Sequence, residues 1–210
     1  TVAHRATIGC AFDGDGDRLI IATRTGKILS GDDLLVYFSE HPRYRETAAV
    51  VGTVLVNSAV EKYLAAAGKV LRRVGIGDRA VAESLAADAL YGGEPSGHYL
   101  FADQGPLSDG LLSALNFLEL CVARQSFDWE PIVRYPVKMA TIVYAQKKDL
   151  TTLPIRSYIE EAERHLSEGR IIVRYSGTEP ILRIFGEGPH EEIVTAVIQN
   201  LTTLLTKELH

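Results

Sequence analysis

Three aspartates alternating with two glycines, Asp13-Gly14-Asp15-Gly16-Asp17, follow directly on the apolar run Ile8-Gly9-Cys10-Ala11-Phe12 and are closed by Arg18. A strand that ends at Phe12 delivers these carboxylates on a tight loop, because glycine opens backbone conformations closed to other residues. Hard divalent cations take oxygen ligands, and Mg²⁺ in particular is held by a few carboxylates together with a phosphate. The segment therefore reads as half of a metal site whose other half is a phosphate.

Other acidic loops fit less well. An EF-hand needs glycine at its sixth position and a carboxylate at its twelfth, where this chain has Arg18 and Arg24. A haloacid-dehalogenase-type phosphatase places Thr or Val two residues after its second Asp, where this chain has Asp17. A solvated acidic turn is the remaining alternative. Three aspartates packed this closely repel one another unless a cation sits between them, which favours the metal.

The 210 residues are enough for one or two domains with a proper core. The net charge of −5 and the lack of a long basic run argue against a nucleic-acid partner. No membrane-length apolar run or secretory leader is present, so neither membrane insertion nor secretion is expected. Cys10 and Cys121 lie in apolar stretches without ligand-like spacing and are expected as core thiols of a reducing, cytoplasmic compartment. The chain begins at Thr1, carries one Met (Met139) and enters its first strand within a few residues, as a piece of a longer protein would.

Strand-like and helical patterns alternate, which is the signature of α/β architecture. Strands are expected at 8–12, 19–22, 48–55, 70–74 and 99–102, with Gly26 at a turn. Helices are expected from Asp32 through Phe38, and from an Asn57 or Ser58 cap with Val60, Tyr63, Leu64 and Ala67 on one face. Two more are expected after Gly77 through Ala87 and over 109–124. The composition shifts near 126–131, which places a domain boundary at 126–133. Beyond it a strand is expected over 133–145, edge or bulged because of Pro136. A helix with Pro154 at its first position carries Ile155, Ile159, Ala162 and Leu166. Strands at 170–175 and 181–186 and a final helix from Pro189 to about Leu205 complete the chain.

Two more segments carry chemistry. Gly92-Gly93-Glu94-Pro95-Ser96-Gly97-His98 reads as a loop on which Glu94, Ser96 and His98 alternate. A carboxylate beside a hydroxyl suits sugar hydroxyls, which donate and accept; a structural turn and a satisfied structural histidine fit the same residues. Arg174-Tyr175-Ser176-Gly177-Thr178-Glu179-Pro180 lies between two apolar strands, with Arg183 close beyond. Its guanidinium fork, hydroxyls and backbone N–H groups match phosphate oxygens, and an ordinary hairpin with capping hydroxyls is the alternative. In Gly75-Ile76-Gly77-Asp78-Arg79, Asp78 can simply cap the following helix and Arg79 can be a first-turn surface residue.

In this order and spacing, the three loops resemble those of the phosphohexomutase (α-D-phosphohexomutase) superfamily over essentially the whole chain. The resemblance implies a remnant of domain two at 1–28, an α/β mixed-sheet domain three at 29–130, and a small α+β C-terminal domain four at 131–210, a sheet flanked by helices. It implies Mg²⁺ on Asp13, Asp15 and Asp17 beside a phosphoserine, and Arg18 as the catalytic residue that positions the transferring phosphoryl group. By the same resemblance Glu94, Ser96 and His98 bind the sugar, with Asp78 and Arg79 bordering it. Arg174, Ser176, Gly177, Thr178 and Arg183 then bind the phosphate that is not transferred.

The implied reaction moves a phosphoryl group between O6 and O1 of a hexose through a bisphosphorylated sugar. The Gly77-Asp78-Arg79 and Ser176-Gly177-Thr178 forms are most like the bacterial phosphoglucosamine mutase branch, whose substrate is glucosamine 6-phosphate. Phosphomannomutase/phosphoglucomutase activity and a non-catalytic sugar-phosphate-binding role are the alternatives. The superfamily's catalytic serine lies in domain one, and no serine here stands in a matching motif; Ser58, Ser84 and Ser108 read as helix or helix-boundary residues. The chain alone is accordingly expected to be inactive and to bind Mg²⁺ weakly, with the missing N-terminal domains as its partner.

Overall fold

The computed structural model describes residues 1–105 and 107–210, which form two units, Thr1–Arg134 and Tyr135–His210. In the first unit, β1 (Ile8–Phe12), β2 (Leu19–Thr23) and β3 (Ile28–Leu29) form an antiparallel sheet in that order. Leu19, Ile21 and Leu29 bury one face of it. Cys10 is exposed, against expectation, because β1 is the edge strand of its sheet.

Helix α1 (Gly31–Tyr37) starts where Asp33 Oδ2 accepts from both Ser30 N (2.6 Å) and Ser30 Oγ (2.9 Å). This satisfies a donor that a helix start leaves open. Strand β4 (Ala49–Thr53) leads into α2 (Ser58–Ala66), and Asn57 is the cap, accepting from Ala59 N at 3.0 Å. Val60 and Leu64 are buried as expected, whereas Tyr63 and Ala67 are exposed. Next come β5 (Val70–Val74) and α3 (Asp78–Ser84), which stops three residues before the expected Ala87. Strands β6 (Tyr91–Gly93) and β7 (Tyr99–Phe101) precede α4 (Gly110–Arg124), capped by the Asp109 carboxylate on Leu112 N at 2.9 Å. Gly92 and Gly93 are therefore strand residues rather than loop, and only 94–98 turns.

The second sheet runs β5-β4-β6-β7, parallel except for the β6–β7 hairpin. Alternation along β4 sends Val50 to the main core with Leu34, Leu35 and Phe38, and Ala49 and Val51 to a smaller core with Val81 of α3. Both faces are covered, which explains the apolar run through β4. Phe38 meets Tyr99 and Phe101 edge-on at 5.3 and 5.2 Å, a favourable aromatic geometry.

The second unit is an antiparallel sheet of β8 (Val137–Val143), β9 (Arg170–Tyr175) and β10 (Ile181–Glu187) in the order β8-β10-β9, with helices α5 (Ile155–His165) and α6 (Glu191–Leu209) packed on one face. β8 spans Val137–Val143, shorter than expected, with Pro136 before it, and is an edge strand. α5 is Ile155–His165, with Pro154 at the cap rather than the first helical position. α6 starts later and runs further than expected because Val194, Ile198, Leu201, Leu205 and Leu209 keep one continuous buried stripe. No described helix is long and apolar enough to cross a membrane.

Candidate active site

The hairpin between β1 and β2 carries the acidic loop. Arg18 N donates to Asp13 Oδ1 at 3.2 Å, closing it. α4 holds it from behind: Ser108 Oγ donates to the Asp17 carbonyl at 2.8 Å, and Gly110 N donates to the Gly16 carbonyl at 2.9 Å. A Cβ on Gly110 would lie 2.6 Å from the Arg18 carbonyl oxygen and 2.7 Å from that of Gly16. Only glycine lets the helix start approach so closely.

Asp13, Asp15 and Asp17 each offer an oxygen within 4.8 Å of the others. Asp17 Oδ1 is buried and receives no hydrogen bond, a cost a cation would remove. Arg18 Nε stands 3.2 Å from Asp13 Oδ2 and 3.9 Å from Asp17 Oδ1, partly offsetting the clustered charge. The Asp13 carboxyl sits below its ordinary range: slight burial raises it, but the Arg18 N–H and charge outweigh that. An all-oxygen anionic donor set with one unsatisfied oxygen fits Mg²⁺.

The turn after β6 meets this loop. Leu19 N donates to the Gly97 carbonyl at 3.1 Å, and Gly97 has φ +98° with no room for a side chain against Leu19. That docking carries His98 onto Asp17, with Nε2 3.0 Å from Asp17 Oδ2 and Nδ1 2.9 Å from Glu94 Oε2. Burial works against charge on the ring, but hydrogen bonds and charges from Glu94 and Asp17 outweigh it, and the His98 pKa is raised. In the charged form both nitrogens donate, one to each carboxylate, and Arg18 keeps Asp13. In the neutral form Nε2 can instead accept from Arg18 Nε at 3.2 Å. Ser96 Oγ donates to Glu94 Oε2 at 3.2 Å. Glu94 Oε1 accepts from Gly77 N at 2.9 Å, tying in the start of α3. Arg79 itself points into solvent, 88% exposed and paired with Glu83 at 2.7 Å, and Asp78 accepts from Arg79 N at 2.7 Å. Arg79 fits the surface alternative, whereas Gly77 rather than Asp78 stands at the cap and Asp78 is the first residue of α3.

In the second unit, Ser176, Gly177 and Thr178 form the tip between β9 and β10. Arg174 and Arg183 are directly opposite each other on those strands. Like charges so placed are destabilising. Arg183 is relieved by Glu179 at 2.7 Å. Arg174, half-buried, has no hydrogen-bond or ion-pair partner among the described residues. Tyr175 is structural: its hydroxyl donates to the Lys148 carbonyl at 2.7 Å and accepts from Lys148 N at 3.0 Å.

The first unit thus gathers Asp13, Asp15, Asp17, Arg18, Glu94, Ser96 and His98, and the second gathers Arg174 and Arg183 beside the 176–178 tip. Ser108 and Gly110 escaped the sequence reading as supports of the acidic loop. The available signal was a glycine at the first position of an otherwise strong helix, where capping does not require one.

Residues 30–132 match the family model described as phosphoglucomutase/phosphomannomutase, alpha/beta/alpha domain III, and residues 136–204 match the C-terminal domain of the same family. The phosphoglucosamine mutase of Xanthobacter autotrophicus is 36% identical over 97% of the chain and 47% of its own length. That of Halorhodospira halophila is 39% identical over 90% of the chain and 44% of its own length. The chain spans about half the length of the curated relatives it matches. The fold is also that of Aspergillus fumigatus N-acetylphosphoglucosamine mutase, solved in complex with GlcNAc-6P and magnesium, with a TM-score of 0.73, 14% identity, and coverage of 96% of this chain and 49% of that one.

Proposed function

Because the chain belongs to the phosphoglucomutase/phosphomannomutase family, of which it carries domain III and the C-terminal domain, we propose that it is the C-terminal portion of a phosphoglucosamine mutase. The reaction would interconvert glucosamine 6-phosphate and glucosamine 1-phosphate through a bisphosphorylated sugar, with the phosphoserine supplied by an N-terminal half. The observation that carries this reading is the joining of the acidic loop to the sugar-type loop through Asp17, His98 and Glu94.

Asp13, Asp15 and Asp17 would hold Mg²⁺, which supplies charge neutralisation for the phosphoryl oxygens. Arg18, half exposed beside Asp13, would exchange that carboxylate for a phosphoryl oxygen and orient the group. Glu94 and Ser96 accept from and donate to adjacent sugar hydroxyls, and His98 fixes the Glu94 carboxylate. Gly77 N holds the other Glu94 oxygen, which leaves Asp78 and Arg79 at the border of the sugar. Arg174 and Arg183, with Ser176, Gly177 and Thr178, take the phosphate that stays on the sugar; its charge would relieve the Arg174–Arg183 opposition. Fixed loops of this kind act by positioning and by electrostatic preorganisation.

The test joins this chain to the N-terminal half of the Xanthobacter relative and assays hexosamine 6-phosphate turnover with Mg²⁺. Turnover of glucosamine 6-phosphate above glucose and mannose phosphates is expected, with none from the 210-residue chain alone. A preference for glucose or mannose phosphates would move the assignment to a sister mutase. Turnover by the chain alone would refute the absence of the nucleophile.

A further inference from the structure

The tip between β9 and β10 holds a carboxylate among its cations. Val173, Leu182 and Ile184 pack with α5 and α6, so the alternate residues Arg174 and Arg183 stand on the face of the sheet away from the helices. Glu179 is fixed beside them by the turn itself. Ser176 N donates to the Ile181 carbonyl at 2.9 Å, and Ile181 N donates to the Glu179 carbonyl at 2.8 Å. Pro180 restricts the Glu179 backbone to extended conformations. Glu179 Oε2 then accepts from Arg183 Nη2 at 2.7 Å. The Arg183 and Glu179 side chains are 42% and 55% exposed. An ion pair this open adds little stability and exchanges readily. An anion that arrives at the two arginines therefore competes with Glu179 for Arg183.

Charge decides what such a tip can accept. From Arg174 to Arg183 the chain carries two guanidinium groups and one carboxylate, Glu179, which leaves a single net positive charge. Lys147 lies over the Tyr175 ring, on the helix side of the sheet, and does not enter this count. A phosphate monoester brings close to two negative charges at pH 7, so the filled tip is short of one positive charge. A neutral sugar cannot supply it; an ammonium next to the phosphate ester can. We propose that Glu179 is a specificity residue, selecting a sugar phosphate with an ammonium on the carbon beside the phosphate ester over one with a hydroxyl there. Without an anion its carboxylate holds Arg183. With one, the phosphate takes both arginines and the carboxylate turns to the ammonium. Of the two hexosamine phosphates in the proposed reaction, the 1-phosphate has this arrangement, with its amine on C2 beside C1. The selection thus acts on one orientation of the sugar, and it rests on the sugar-phosphate reading of the tip.

The experiment is calorimetry on the 210-residue chain with inorganic phosphate, glucosamine 1-phosphate, N-acetylglucosamine 1-phosphate and glucose 1-phosphate. The free amine is expected to bind about fivefold more tightly than the two uncharged sugars, the scale of one partly exposed ion pair. Glu179→Gln is expected to lose that preference and, at the same time, to bind inorganic phosphate more tightly, because no carboxylate competes for Arg183. A turn that had merely lost a surface contact would shift all four ligands together. Glu179→Asp keeps the charge and retains the preference in part. Should binding to the chain fall below the calorimetric range, the protein joined to the Xanthobacter N-terminal half gives the same comparison as KM values for the 1-phosphates. Equal binding of charged and uncharged sugars by the parent, or a preference that Glu179→Gln keeps, overturns the selection. If phosphate binding still depends on Arg174 in that case, the mutase reading of the tip survives. Phosphate binding indifferent to Arg174 removes that reading and the selection with it.

Discussion

Asp17 Oδ2 lies 3.0 Å from His98 Nε2, so a ring on the glycine-rich turn is held by the acidic loop. The opposite nitrogen of that ring holds Glu94, and one imidazole sets the position of a carboxylate in each loop. Substitution of His98 by Asn removes both ties. Groups that orient metal ligands typically change affinity about 10–100-fold when mutated. Mn²⁺ binding to the chain, read by electron paramagnetic resonance, is expected to weaken by about tenfold at the low end of that range. An unchanged affinity would show that Asp17 orients itself without the ring.

Asp17→Asn tests the metal reading more directly. It replaces the buried, unsatisfied oxygen or its partner with an amide that donates. Mn²⁺ and Mg²⁺ affinity is expected to fall by more than about tenfold, since ligand charge sets affinity at such sites. The exposed Asp128, paired with Arg24, provides a control in Asp128→Asn. Equal effects from the two substitutions would reduce the cluster to a solvated acidic turn.

Gly110→Ala should damage the acidic loop from behind. The new methyl meets two carbonyl oxygens, neither of which can swing aside as a flexible side chain would. Overpacking of this kind costs about 1–3 kcal/mol. Unfolding followed by Trp129, the single tryptophan and a buried residue of the first unit, is expected to show that loss together with weaker Mn²⁺ binding. A wild-type unfolding curve would mean the helix start can retreat from the loop.

Arg174→Gln is expected to separate stability from binding. Without an anion, removing one of two opposed cations should stabilise the second unit by about 0.5 kcal/mol, seen by calorimetry. Inorganic phosphate is expected to raise the Tm of the parent chain, and the same variant should lose that rise. A variant that keeps the phosphate effect would place the anion elsewhere.

His41 supplies a pH dependence. Its ring is fully buried, stacks on Tyr44 at 4.9 Å and has Nε2 3.7 Å from Glu119. Burial chiefly, with the Arg43 charge, lowers its pKa, although Glu119 and Asp103 pull it back. The unfolded chain therefore binds the proton more readily than the folded one. Its contribution to stability is full above the ordinary histidine value, falls as pH drops through that value, and levels off below the lowered folded one. Urea unfolding at pH 7.5 and 5.5, followed by Trp129, should show a smaller acid loss in His41→Asn than in the parent. Equal losses would assign the acid sensitivity to other groups.

Much of this molecule is local in origin and so legible along the chain. β9 runs over Arg170–Tyr175 as its pattern of apolar residues implies, and Asn57 caps the helix it precedes. The clustering of Asp13, Asp15 and Asp17 was legible because the three carboxylates are neighbours in sequence. Cys10 misled for the opposite reason: apolar character sets what a strand can bury, while its neighbours decide whether it is buried. The glycines at 92 and 93 read as loop because glycine is a poor strand former, yet the tight pairing of β6 with β4 and β7 leaves no space for side chains there.

Residue types and short spacings marked the three candidate loops for metal, sugar and phosphate, because ligand identity and turn formation depend on a few adjacent residues. Tertiary structure alone decided that Arg18 and His98, eighty positions apart, would face one another, and that α4 would press a glycine against the acidic loop. It also opposed Arg174 to Arg183. Such contacts are fixed by sheet register and by which faces find a partner to bury them, and neither is encoded in any single stretch of chain.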